Sequence, residues 1–235
     1  MKSPAIARTL ILAAFWPPLS VVVAQVCPVE GRVVWETDEY PLASIGGQCW
    51  FAENLRTTIF ANGDRIGEGQ DQQAWAELTA EWPLMAQPVR KDVLVGEGML
   101  YNGAAVRDPR GLCPAGWRVP SDEDWLELER SLGLSVAEAG QTGFRGQHAH
   151  QLRVTDERYE GWEGWDTFGF RALPGGFRDG EARDWNYSDS GFWWSTSEWK
   201  GGGELWMRSI SNHGTGVYRS IHPFEDGLSV RCLKD

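Results

Sequence analysis

The chain has 235 residues, 42% of them hydrophobic and 12% aromatic, and a formal net charge of −11. That length is enough for one sizeable core. The acidity argues against nucleic acid as a partner, because binding phosphates needs a basic footprint.

Residues 1–24 read as an export signal. Lys2 and Arg8 supply a short positive start, residues 9–16 are apolar, and Pro17-Pro18 interrupts the run. Val22-Val23-Ala24 places small or medium residues at −3 and −1, so cleavage is expected after Ala24 and before Gln25. A membrane anchor would need ~20 unbroken apolar residues. Val26 stands before Cys27 where a lipobox wants Gly or Ala, so lipidation of Cys27 is not expected. Cleavage removes two of the 22 Lys and Arg and none of the 33 Asp and Glu, which takes the formal charge from −11 to −13. Residues 25–235 read as one domain that is secreted, periplasmic or on the cell surface. The four cysteines, Cys27, Cys49, Cys113 and Cys232, predict two disulfides in an oxidising compartment. Four cysteines allow three connectivities, and spacing does not choose among them.

The domain is predicted to open on a small β-meander. Residues 33–36 and 40–45 read as strands around a turn at 37–39, and 48–55 as a third extended segment after Gly46-Gly47. Residues 71–84 predict a short helix, with Trp75, Leu78 and Trp82 at helical spacing and Pro83 ending it. Residues 99–102 read as buried and extended. The clearest helix covers 121–132. Ser121 is its N-cap and Asp124 the reciprocal partner of a capping box, Trp125, Leu128 and Leu132 line one face, and Gly133 stops it. Ser135 and Glu138 begin a second, shorter helix in the same way. From Gly143 onward helical periodicity disappears, and short strands joined by long ordered loops are expected. Seven tryptophans in this half argue against disorder.

Five blocks in order resemble the FISUMP family, named for the major paralogous domain of Fibrobacter succinogenes. They are residues 45–55 (Ile-Gly-Gly-Gln-Cys-Trp-Phe-Ala-Glu-Asn-Leu), 112–122 (Leu-Cys-Pro-Ala-Gly-Trp-Arg-Val-Pro-Ser-Asp), 169–178 (Gly-Phe-Arg-Ala-Leu-Pro-Gly-Gly-Phe-Arg), 193–198 (Trp-Trp-Ser-Thr-Ser-Glu) and 227–235 (Gly-Leu-Ser-Val-Arg-Cys-Leu-Lys-Asp). Two stretches depart from the family's pattern: Gly103-Ala104 after Leu100-Tyr101-Asn102, and residues 143–164. The resemblance implies an α+β, C-type-lectin-like domain with short strands, two early helices and long ordered loops, related in architecture to formylglycine-generating enzymes. In such a domain the terminal strands meet, which implies a Cys113–Cys232 bridge and leaves Cys27 to pair with Cys49.

No catalytic signature is present: no nucleophile elbow, zinc-protease helix, P-loop or dinucleotide fingerprint. Formylglycine generation needs reactive cysteines, and here all four are assigned to bridges, so the chain is expected not to be an enzyme. His148-Ala149-His150 could set two imidazoles on one face of an extended segment, but a metal site needs three or four ligands, and His148, His150, His213 and His222 read as surface histidines. Asp122, Glu123 and Asp124 read as helix-capping groups. No cofactor is expected. The calcium triplets of sugar-binding C-type lectins are missing, and Trp185-Asn186-Tyr187 has a Tyr where Asp is wanted; Asp184 and Asp189 are the loop carboxylates that a structural calcium would use.

The aromatic cluster is the strongest functional signal. Trp185, Tyr187, Trp193, Trp194, Trp199 and Trp206 fall within 22 residues. Of two adjacent tryptophans in a strand one must face inward, and Trp194 and Trp206 are assigned to the core. The late family blocks, 169–178, 193–198 and 227–235, are read as core and turn framework, which leaves Trp185, Asn186, Tyr187, Asp189, Trp199, Arg208, Tyr218 and Arg219 as the candidate ligand-binding set. The function expected is an exported, non-catalytic ligand-binding or adhesion module for a glycan or a surface protein. The alternative is a structural subunit of an envelope or extracellular assembly, in which the same aromatics serve self-assembly.

Overall fold

The computed structural model describes residues 27, 28, 30–79, 81–88 and 96–235. The expected signal segment, 1–24, lies outside the described residues. The meander forms as predicted: β1 (Arg32–Trp35), β2 (Asp38–Ile45) and β3 (Gln48–Phe51) pair in antiparallel order. Gly46 and Gly47 both take positive φ in the two-residue turn between β2 and β3, as that hairpin twist requires. The first turn is shorter than predicted. Trp35 pairs directly with Asp38, and Glu36 adopts φ 54°, so strand β2 begins two residues early.

β4 (Gly67–Glu68), α1 (Gln72–Leu78), β5 (Leu84–Ala86), β6 (Leu100–Asn102), α2 (Gly103–Arg107) and β7 (Trp117–Arg118) follow. In α1 only Trp75 is buried, its indole donating to the Glu225 carbonyl, while Leu78 and Trp82 are exposed. The helix ends before Trp82, so the three residues never share a face. α3 (Asp122–Ser131) and α4 (Val136–Ala139) each carry the predicted capping box, Ser121 with Asp124 and Ser135 with Glu138. β8 (Gly143–Arg145) and α5 (Ala149–Leu152) come next, so His148 and His150 sit at a helix start rather than on an extended segment.

The late half departs most from expectation. After the short β9 (Phe177–Arg178) and β10 (Asp184–Trp185) come three neighbouring strands of seven to nine residues, β11 (Ser190–Glu198), β12 (Glu204–Ser211) and β13 (Val217–Pro223), then β14 (Gly227–Leu228) and β15 (Leu233–Lys234). Three sheets result, in the orders β1-β2-β3-β15-β7, β10-β9-β14-β6-β5-β4 and β11-β12-β13-β8. The longest helix among the described residues has ten residues. The domain is therefore mostly β, and the α+β, C-type-lectin-like class expected from the resemblance is overturned.

The physical reason lies in the four-stranded sheet, which has a core on each face. Phe192, Trp194, Leu205 and Met207 face one cluster with Tyr40, Phe51, Tyr101 and Val230. Trp193, Ile210 and Val217 face the other, with Trp50, Trp125, Leu128, Trp162 and Phe170. Both Trp193 and Trp194 are fully buried, because alternate residues of β11 enter different cores. The last strand does join the opening meander: Leu233 of β15 pairs with Trp50 of β3 and with Arg118 of β7. The bridges are Cys27–Cys49, with Cα atoms 5.1 Å apart, and Cys113–Cys232, 5.9 Å apart across a sequence separation of 119. All four cysteines are thus used.

Candidate functional site

The eight predicted contact residues do not form one surface. Trp185, Asn186, Tyr187 and Asp189 precede β11, and Trp199 follows it. The nine residues of β11 lie between the two groups, and the ten steps of ~3.3 Å from Asp189 to Trp199 separate them by up to about 33 Å. Trp185 is 46% exposed; its indole donates to Asp179 at 2.7 Å and Arg183 lies over its ring. Asn186 and Asp189 are exposed. Tyr187 is half-buried, its hydroxyl donating to the buried Glu97 carboxylate at 2.8 Å. Trp199 packs edge-on against Trp206. Tyr218 lies beside Phe144, 62% exposed, on the edge strand β8. Asp184 already accepts from Arg178.

Arg208 and Arg219 are buried, which corrects their assignment to the ligand surface. Both lie on the sheet face that α3 covers. Arg208 donates to Glu129 at 2.5 Å and Asp122 at 2.8 Å, and Arg219 to Asp122 at 3.0 and 2.6 Å. Arg145 completes the network with two bonds to Glu129, at 2.7 and 2.9 Å. Burial pushes the Asp122 carboxyl up, but the Arg219 hydrogen bonds and the attraction of Arg208 outweigh it and hold the group below the ordinary carboxylate range. Asp122 is thus more than a helix-capping residue: it ties α3 to β12 and β13.

The residues that do converge on an open site are others. A cleft of about 440 Å³ is lined by Glu53, Gly96, residues 154–156, Arg158, Arg171 and Leu173. One wall comes from family blocks: Glu53 follows β3, and Arg171 and Leu173 lie in the 169–178 block. The other comes from the stretch that departs from the family's pattern. That stretch is anchored at its back by buried Arg153, Tyr159 and Trp162, the Trp162 indole donating to the Ala172 carbonyl at 3.0 Å. The Thr155 hydroxyl closes its neck on the Gly164 carbonyl at 2.8 Å.

The charges of the cleft are fixed in pairs. The Asp156 carboxylate accepts from the Arg158 backbone at 3.1 Å and from its guanidinium at 2.7 Å. These bonds hold the Asp156 carboxyl low and raise the Arg158 guanidinium. Glu53 accepts from Arg56 at 2.8 Å and faces Arg171 at 3.8 Å. Leu173 and Val154 supply apolar surface between them. Carboxylate acceptors, guanidinium donors and a small apolar floor suit a compact ligand bearing hydroxyls. Among the described residues no group of three His, Cys, Asp or Glu could hold a metal ion. His222 and Asp226 meet at 2.6 Å, but the ring is packed by Phe177, and Asp226 also accepts from the Gly180 amide, so the pair tethers β13 to the β9–β10 hairpin.

Arg171 was assigned to framework because it stands inside the 169–178 block, and Glu53, in the 45–55 block, was given no role. The signal that could have found them is their charge: each is an ionisable residue in a short, otherwise largely apolar run.

The fold and site define a disulfide-bridged, mostly β domain with a polar cleft on its surface. The chain belongs to the family described as the Fibrobacter succinogenes major domain, whose model matches residues 43–234. No curated protein and no solved structure matches it. No helix among the described residues is long and apolar enough to cross a membrane.

Proposed function

We propose that the chain is an exported, non-catalytic ligand-binding module whose ligand is a glycan, seated in the cleft between Glu53–Arg171 and Asp156–Arg158. The observation that carries this reading is the cleft itself. Its Asp156–Arg158 and Glu53–Arg56 pairs are ordered by their own hydrogen bonds, so a ligand need not pay to arrange them, and hydroxyl groups find donors and acceptors on both walls. Leu173 and Val154 offer the apolar contact that a sugar ring's C–H face requires. The two disulfides support an oxidising compartment, and the bridging of all four cysteines supports a role without thiol chemistry.

The test is a glycan array probed with the purified domain, followed by calorimetry on the best glycan. Binding by the wild type and at least tenfold weaker binding by Arg158→Ala, at an unchanged melting temperature, is the expected result. Equal binding by Arg158→Ala would remove the cleft from the reading. A role as a structural subunit is the second reading, favoured by exposed Phe144 on the edge strand β8. Size exclusion separates the two: an obligate oligomer that binds no glycan would replace the first reading with the second.

A further inference from the structure

Resting on the cleft reading above, we propose that the ligand is an acidic glycan and that Arg171 binds its carboxylate.

The backbone at Arg171 is held in an unfavourable conformation. Its φ is 54°, in the left-handed region that residues other than glycine rarely adopt. Two contacts impose it. The Asp166 carboxylate accepts the Arg171 amide at 2.7 Å, and the buried Arg231 guanidinium donates to the Arg171 carbonyl at 3.1 Å. Arg231 also donates to the Phe170 carbonyl and, at 2.9 Å, to the Asn54 side chain. Burial pulls the Arg231 guanidinium down to about 9. The fold thus commits a fully buried cation to hold two consecutive carbonyls. Local strain maintained by costly surroundings is characteristic of functional sites.

What this arrangement presents is the Arg171 side chain. It is half exposed, lines the cleft and makes no hydrogen bond among the described residues. Its nearest carboxylate, Glu53 at 3.8 Å, is already engaged by Arg56 at 2.8 Å. Asp156, on the opposite wall, is likewise engaged by Arg158. The two acids are mostly covered, while the Arg158 and Arg171 side chains are 54% and 50% exposed. At this cleft an acidic chain therefore turns its cationic groups outward.

A guanidinium with free donors matches a planar carboxylate in a two-pronged pair. A phosphate or sulfate dianion fits less well, because Glu53 and Asp156 stand beside it. A single carboxylate on a polyhydroxyl ring satisfies every part of the site: Arg171 takes the carboxylate, the engaged acids take hydroxyl protons, and Leu173 and Val154 take the ring face. The ligand class is a glycan containing uronic acid.

The test compares matched oligosaccharides, glucuronate and galacturonate oligomers against neutral glucose and galactose oligomers, by array and calorimetry. The variants are Arg171→Asn, which removes the guanidinium but tolerates the positive φ, and Arg171→Lys, which keeps the charge without the fork. Melting curves accompany each. The expected result is at least tenfold preference for uronates by the wild type, lost in Arg171→Asn, partly kept in Arg171→Lys, and weakened by salt. Binding of neutral glycans as tight as that of uronates, or uronate binding unchanged in Arg171→Asn, overturns this inference and leaves the cleft reading standing. Failure of every glycan to bind overturns both.

Discussion

Replacing Glu129 by Gln tests what holds the helical side of the domain to the sheet. The Glu129 carboxylate is buried and accepts three charge-assisted hydrogen bonds, two from Arg145 and one from Arg208. Such bonds contribute roughly 1.5–3 kcal/mol each. A glutamine keeps one acceptor oxygen and turns an NH2 toward guanidinium donors. It also leaves three buried arginines facing Asp122 alone. Burial already pulls the Arg145 guanidinium below its ordinary range, and the attraction of Glu129 is the main opposing influence. Removing one partner from a buried ion pair costs about 3–5 kcal/mol. At roughly 2–4 °C per kcal/mol for a domain of this size, Tm should fall by about 6–20 °C. The control is Glu123→Gln on the same helix, whose ion pair with Arg130 is exposed and should matter by less than ~1 kcal/mol. The assay is urea and thermal denaturation with the disulfides intact. A Glu129→Gln protein within about 1 kcal/mol of wild type would show that the network does not hold α3 to the sheet.

Trp194→Ala should cost ~3–5 kcal/mol, because the ring is fully buried and its indole donates to the Tyr101 carbonyl at 2.7 Å, whereas Trp185→Ala should change stability by less than ~1 kcal/mol; melting curves of the two variants check the difference. Acid should weaken the domain through Asp122. Its folded carboxyl lies below the ordinary value of 3.8, so its contribution is complete above that pH and is lost as pH falls through the folded value; Asp122→Asn should flatten this part of a denaturation series between about pH 5 and pH 2. Non-reducing peptide mapping should return Cys27–Cys49 and Cys113–Cys232. Serine at both Cys113 and Cys232 should lower stability by up to ~4–5 kcal/mol, since the bridge closes a loop of over a hundred residues.

The comparison of sequence with structure separates two kinds of information. Features set by neighbours in the chain were legible. The capping boxes of Ser121 with Asp124 and Ser135 with Glu138 need only four residues each, and the Gly46-Gly47 hairpin needs two. The family blocks carried the correct disulfide pairs. The same blocks misled on class, because a resemblance in short motifs does not state how long the strands between them run. The short strands expected after Gly143 run longer than expected, as the seven- to nine-residue β11, β12 and β13.

The candidate site was much less legible. Of the predicted set, Trp185, Asn186, Tyr187 and Asp189 share one end of β11, Trp199 lies at the other, and Arg208 and Arg219 are buried. The lining residues Glu53, Asp156, Arg158 and Arg171 come from three separated segments, and nothing local brings them together. Alternation along a strand assigns neighbouring side chains to opposite faces, and the sequence by itself determined that Trp193 and Trp194, or Arg208 and Ser209, must part. Whether a face meets water or a second core depends on what packs over it. That was decided only when α3 settled on the sheet over Arg208 and Arg219, and when residues 153–164 folded up to wall the cleft opposite Arg171, because burial is a property of the assembled chain and not of any one stretch of it.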